Sequence, residues 1–175
     1  MDFRKAFDSI HRGTLWELLR LRGIPEKILA LVRALYTDTE SAVRYGGGTS
    51  EFFPVHTGVR QGCVLAPSLF SVCMDWIMGR TVSSSSLGAS FGDERFTDLD
   101  FADDAVILAE TMEVLVASLD VLSMESESLG LRVSWVKTKI HKFIQAVDQV
   151  SSVTCCGEEV HVVDVFPYLG FQNNT

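Results

Sequence analysis

Apolar and polar positions fall into blocks whose period switches between that of a helix and that of a strand. In "TLWELLRLRG" (14–23) leucines recur three and four residues apart, which predicts an amphipathic helix stopped by Gly23. Pro25 opens "PEKILALVRALY", a second amphipathic helix with proline in its first turn. "SAVRYGGGTSEFFPV" reads as strand, glycine turn, strand. "TGVRQGCVLAPSLFSVCMDWIMGRT" predicts a loop and then a helix starting near Pro67, apolar almost all round and so bound for the interior. The polar run "VSSSSLG" (82–88) predicts a loop. "ASFGDERFTDLDFADDAVILAE" predicts one or two hairpins, and "TMEVLVASLDVLSMESESLG" a helix capped by Thr111 and ended by Gly130. A short strand "LRVSW" and a basic segment "KTKIHKF" follow. "VTCCGEEVHVVDVFPYLGF" then predicts a hairpin around Gly157 and a further apolar strand, while residues 2–10 predict a strand end and a turn. Helices interleaved with hairpins, with no repeat and no linker, predict one α+β domain: an antiparallel sheet with helices on one face.

Composition narrows this picture. The 175 residues are enough to bury a real core, and 47% hydrophobic content excludes a disordered chain. The apolar runs are short and broken by charges, so no membrane span is expected. "MDFRKAFDSI" has neither the apolar run nor the cleavage site of a signal peptide, and the chain reads as cut at both ends. Cys63, Cys73, Cys155 and Cys156 form no C-x-x-C pair, which points to free thiols rather than zinc. The net charge of −8 argues against a self-contained nucleic-acid-binding module, though not against a catalytic piece whose basic neighbours lie elsewhere.

Three segments hold candidate chemistry. Asp103 and Asp104 sit side by side between two apolar runs. Neighbouring strand side chains face opposite ways, so a metal site here needs a third carboxylate; Asp2 is the best candidate and Asp8 the next. Such a set suits Mg²⁺, which takes oxygen ligands, and two-metal phosphoryl transfer with ions about 3.5–4 Å apart. The competing reading is plain turn chemistry. In "GVRQGCVLAPSLF", Arg60 and Gln61 are placed to meet phosphate or a base edge, and Gly62 lets backbone approach a ligand, unless this is an ordinary surface loop. Phe7, beyond the first strand end, is either core or the floor of a substrate pocket. His11, His56, His141 and His161 share no ligand spacing and read as structural or surface residues. Trp16, Trp76 and Trp135 read as core, Cys155 and Cys156 as incidental, Glu125 and Glu127 as a solvated helix face, and Asp8 as a local cap or turn partner.

Taken in order, "DFRKAFD", "GVRQGCVLAPSLF", "FADD", "LGLRVSWVKT" and "FPYLG" resemble motifs A to E of the palm of a reverse transcriptase of the non-LTR (LINE-type) retrotransposon family. The resemblance spans nearly the whole chain, and five motifs in register are far more specific than "ADD" alone. It implies an α+β polymerase palm over residues 1–175, with an antiparallel sheet of the split βαβ (ferredoxin-like) type backed by helices. It implies an RNA-directed DNA polymerase that extends a primer 3′-hydroxyl with dNTPs on an RNA template, using two Mg²⁺ ions, with Mn²⁺ as the alternative. Asp2, Asp103 and Asp104 would be the metal ligands, and Lys137 the proton donor to pyrophosphate. Phe3, Arg4 and Lys5 would hold the triphosphate through their backbone. Phe7 would exclude a 2′-hydroxyl by its bulk, and Gln61 and Gly62 would touch nucleotide or template. Phe166, Pro167, Tyr168, Leu169 and Gly170 would form the primer grip. Ala66 stands where many relatives carry serine. Fingers, thumb and endonuclease parts are expected in the parent protein, working in nucleus and cytoplasm. Without fingers, the apolar helix from Pro67 to Met78 is expected to be left uncovered. The alternative reading is a truncated, inactive remnant or a non-catalytic interaction domain.

Overall fold

The computed structural model describes residues 1–101, 104–143, 151–165, 167–168 and 171–172. A short turn of helix, α1 (Ala6–Ser9), leads into α2 (Arg12–Leu21) and α3 (Glu26–Tyr36). His11 caps α2, accepting from the Thr14 amide, and Leu15, Leu18 and Leu19 turn inward. Next come four two-residue strands: β1 (Glu40–Ser41), β2 (Arg44–Tyr45), β3 (Gly48–Thr49) and β4 (Phe53–Pro54). Their antiparallel pairs β1–β4 and β2–β3 are the outer and inner rungs of the expected glycine hairpin.

α4 (Ala66–Ser84) is the central helix. Leu69, Phe70, Cys73, Met74, Ile77 and Met78 are all buried, so the helix is covered, contrary to the expected exposure. It also runs through Ser84, into the stretch expected to be loop; Thr81 and Ser85 hydroxyls donate to carbonyls one turn back, so the polar run continues the helix. Two hairpins follow, β5 (Ala89–Phe91) with β6 (Glu94–Phe96) and β7 (Asp98–Phe101) with β8 (Asp104–Ile107). α5 (Met112–Ser128) begins at Thr111, whose side chain accepts from the Val114 amide. Gly130 ends it with φ +79. β9 (Ile140–His141) pairs in parallel with β11 (Glu158–Val163), which pairs antiparallel with β10 (Ser152–Cys155). β12 (Pro167–Tyr168) and β13 (Phe171–Gln172) form a last antiparallel rung.

The result is a mixture of helices and small antiparallel sheets, α+β as expected, with β9–β11 as a parallel exception. "LRVSW" does not form an extended strand. It makes one antiparallel bridge, Val133 to Phe3, and then turns at Ser134, whose carbonyl accepts from Lys137 and Thr138. The N-terminal segment lies between that bridge and β8. The Met1 ammonium donates to the Ala105 carbonyl at 2.8 Å, and the Ala105 amide donates back at 3.4 Å. On the other side the Arg4 amide donates to the Arg132 carbonyl and the Ser134 amide to the Asp2 carbonyl. Asp2 is thereby held by backbone on both flanks.

Candidate active site

A cleft of about 670 Å³ opens beside this segment. Asp2, Phe3, Lys5, Ala6 and Phe7 form one wall, Gln61, Gly62, Cys63, Ala66 and Pro67 the other, and Lys137 reaches in from the turn after Ser134. Each wall has a local cause. Phe3 is buried and anchors the segment. Lys5 takes a left-handed conformation (φ +48), and its carbonyl accepts from the amides of Asp8 and Ser9, which starts α1. That turn brings half-buried Phe7 onto Phe70 of α4, with ring centroids 4.8 Å apart and planes within 13°.

The opposite wall is fastened to the first. The Gly58 amide donates to the Ile10 carbonyl and the Val59 amide to the Phe7 carbonyl, both at 2.7 Å. Thr57 Oγ1 donates to the Asp8 carbonyl at 3.0 Å. Gly58 has φ +76, and a Cβ there would lie 2.6 Å from the Phe7 and Asp8 carbonyl oxygens, so only glycine allows this approach. From behind, the Arg12 guanidinium donates to the carbonyls of Tyr36, Val55, Thr57 and Gly58 and to Thr39 Oγ1. Its plane also stands 5.1 Å from the centre of the Tyr36 ring.

Electrostatically the cleft is mixed. Lys137 Nζ lies 3.0 Å from Asp2 Oδ2, an ion pair with both side chains partly exposed. Asp104 opens β8, is exposed, and is not among the lining residues. Burial lowers the Met1 ammonium pKa, and the charges of Asp104 and then Asp2 oppose that shift. Among the described residues, no group of three or more His, Cys, Asp or Glu is placed to hold a metal. Asp103, the third expected carboxylate, lies outside the described residues. The donors at hand, the carboxylate oxygens of Asp2 and Asp104, are hard and suit a divalent ion such as Mg²⁺.

The structure therefore brings Asp2, Phe3, Lys5, Phe7, Gln61, Gly62 and Lys137 together. Arg4 is exposed and lines no part of the cleft. Phe166, Leu169 and Gly170 lie outside the described residues, and Pro167 and Tyr168 form β12. Asp8 does not pair locally: its Oδ1 accepts from Gln61 Nε2 at 3.0 Å, across 53 residues. Glu125 is only partly solvated, because Arg80 of α4 meets it at 3.3 Å. Trp135 is core, while Trp16 and Trp76 flank it half-buried. All four cysteines are free. Cys63, Ala66 and Pro67 were missed as lining residues, although contiguity with Gln61 and Gly62 signals them. Arg12 was missed as well, and nothing in its flanking sequence marks it.

The family model for reverse transcriptase (RNA-dependent DNA polymerase) matches residues 1–173. The chain belongs to the reverse transcriptase family. This reverse transcriptase chain is 32% identical over 131 residues to the Pol polyprotein of the type-1 retrotransposable element R2 of Nasonia vitripennis, covering 75% of the chain and 13% of that protein. It is 36% identical over 120 residues to the Pol polyprotein of element R2DM of Drosophila melanogaster, covering 69% and 11%. The RNA-directed DNA polymerase from mobile element jockey, also of Drosophila melanogaster, is 24% identical over 97% of the chain and 19% of its own length. The relatives are Pol proteins of non-LTR retrotransposons, of which this reverse transcriptase chain spans less than a fifth.

Proposed function

We propose that residues 1–175 are the palm of an RNA-directed DNA polymerase and that the cleft binds the incoming deoxynucleoside triphosphate. The observation that carries this is the convergence of Asp2, Phe7, Gln61 and Lys137, from three segments far apart in sequence, on one cleft. Asp2, Asp103 and Asp104 would hold two Mg²⁺ ions, or Mn²⁺ in their place. When bound, these supply charge stabilisation at the attacking and leaving oxygens of the in-line displacement. The primer 3′-hydroxyl attacks the α-phosphate, and pyrophosphate leaves.

The chain's own groups position and discriminate. Lys5 and the backbone of Phe3 face the triphosphate, and Lys137 gives its proton to departing pyrophosphate. Phe7 lines the cleft and is stacked on Phe70, and its bulk rejects a 2′-hydroxyl, and so ribonucleotides, sterically. Phe166, Pro167, Tyr168, Leu169 and Gly170 place the primer terminus. The segment pairings support a split βαβ core: residues 1–4 lie between β8 and residues 132–134, with α4 and α5 as the two crossovers. Template and primer pair with each other, so the protein needs shape and backbone contacts more than base readout. Fingers, thumb and endonuclease parts of the parent, acting in nucleus and cytoplasm, supply the remaining nucleic-acid contacts.

The test is primer extension on an RNA template with dNTPs and Mg²⁺, using this chain and an Asp103→Asn, Asp104→Asn double variant, each alone and fused to fingers and thumb of a relative. Extension that disappears in the double variant is the expected result. A folded fusion that never extends a primer sinks the proposal.

A further inference from the structure

Asp8, hydrogen-bonded to a cleft-lining side chain, is a carboxylate that the proposed chemistry leaves unused. It is exposed, and its Oδ1 accepts from Gln61 Nε2 at 3.0 Å. An ionised carboxylate only accepts hydrogen bonds, so this contact settles which way the Gln61 amide faces. Nε2 is turned to Asp8, and Oε1, the acceptor of this cleft-lining side chain, has no partner among the described residues. The backbone on either side of the pair is fastened together, since Thr57 Oγ1 donates to the Asp8 carbonyl and the Val59 amide to the Phe7 carbonyl. The cleft's ammonium groups, Lys5 and Lys137, come from other segments. A phosphate oxygen offers no donor to a carbonyl oxygen, whereas hydroxyl and amino groups do.

We propose that Asp8 is a positioning residue that fixes the Gln61 amide so that its oxygen receives a hydroxyl or amino donor on the nucleoside part of the substrate. The inference rests on the reading of the cleft as a nucleotide site. The experiment measures binding to the full chain, with primer annealed to an RNA template and Mg²⁺ present. The probes are a fluorescent deoxynucleoside triphosphate and inorganic tripolyphosphate. Asp8→Ala is expected to raise the nucleotide Kd about fivefold, the size of one lost hydrogen bond. Tripolyphosphate affinity is expected not to weaken, because removing a negative charge can only favour a polyanion. Asp8→Asn keeps an acceptor and is expected to restore the wild-type Kd to within about twofold. In a Gln61→Ala background, Asp8→Ala is expected to add nothing, an outcome that a loss of fold would not produce. An unchanged nucleotide Kd in Asp8→Ala, equal loss of both probes, or additive effects of the two substitutions overturn the assignment of Asp8. Absence of saturable binding of either probe to the wild-type chain overturns the nucleotide-site reading and this inference with it.

Discussion

Two cationic side chains near the cleft have opposite physical roles. Lys137 is exposed, and its 3.0 Å pair with Asp2 is a surface pair. Such pairs contribute about 0–1 kcal/mol, so Lys137→Met is expected to leave the urea midpoint nearly unchanged. If Lys137 donates a proton to pyrophosphate, the same substitution lowers the single-turnover incorporation rate by about a hundredfold or more. A stable variant with unaltered chemistry refutes that role. Arg12 is the reverse case. Its guanidinium satisfies four carbonyls and one hydroxyl, none of them charged. Arg12→Ala strands those acceptors together, and about 3 kcal/mol should be lost in urea unfolding. Arg12→Lys should recover little of it, since an ammonium cannot span five acceptors set out for a planar fork. Nothing around Arg12 in sequence predicts this, because its partners lie 24 to 46 residues away.

Among the elements, α5 shows how local signals succeed and where they stop. Thr111 as cap and Gly130 as terminator are local chemistry, and both were legible. What Gly130 packs against was not: an added Cβ would lie 2.6 Å from the Ser9 carbonyl oxygen, which ties the end of α5 to the α1–α2 junction. Gly157 has nearly the same φ, +78, but open space around it. Gly130→Ala should therefore destabilise clearly more than Gly157→Ala, whose cost is the left-handed strain alone, about 1 kcal/mol. Equal melting shifts for the two would mean that the α5 docking contact carries no energy. The same limit explains the misread strands and loops. "LRVSW" has strand-like residues, yet among the described residues its strand partner is the N-terminal segment alone, and only Val133 bridges. The serine run after Val82 looks like loop, yet Thr81 and Ser85 bond back to the preceding turn and the helix continues. The Asp8–Gln61 pair spans 53 residues and follows from no local pattern. Asp2, Phe3, Lys5, Phe7, Gln61, Gly62 and Lys137 were legible because each lies within a short motif whose spacing the resemblance supplied, whereas Cys63, Ala66 and Pro67 carry no chemistry that marks them as lining.

At the scale of the whole molecule, the core that holds both cleft walls contains two thiols. Cys73 lies on α4 and Cys155 at the end of β10, both fully buried. Burial pushes the Cys73 thiol up to about 12. Cys155 rises to about 11, chiefly by burial, with Asp120 and Cys156 adding to it. An unfolded thiol titrates near 9.0. Below that pH neither state ionises, and the full stabilisation is present. As pH rises past it, the unfolded chain loses protons that the native chain retains, so stability falls through the window from about pH 9 to 11–12. Lysines and tyrosines titrate in the same range, so the wild-type curve alone does not isolate the thiols. Cys73→Ala does. At pH 8 the variant should be less stable than the wild type, because a buried group has been removed from a close-packed helix face. Its deficit in urea-unfolding free energy should then shrink steadily between pH 9 and 11, as the wild type loses the contribution that the variant lacks. Parallel curves over that range would mean that Cys73 ionises as readily folded as unfolded. In that case the centre of α4, on which Phe7 and the cleft floor rest, is wet.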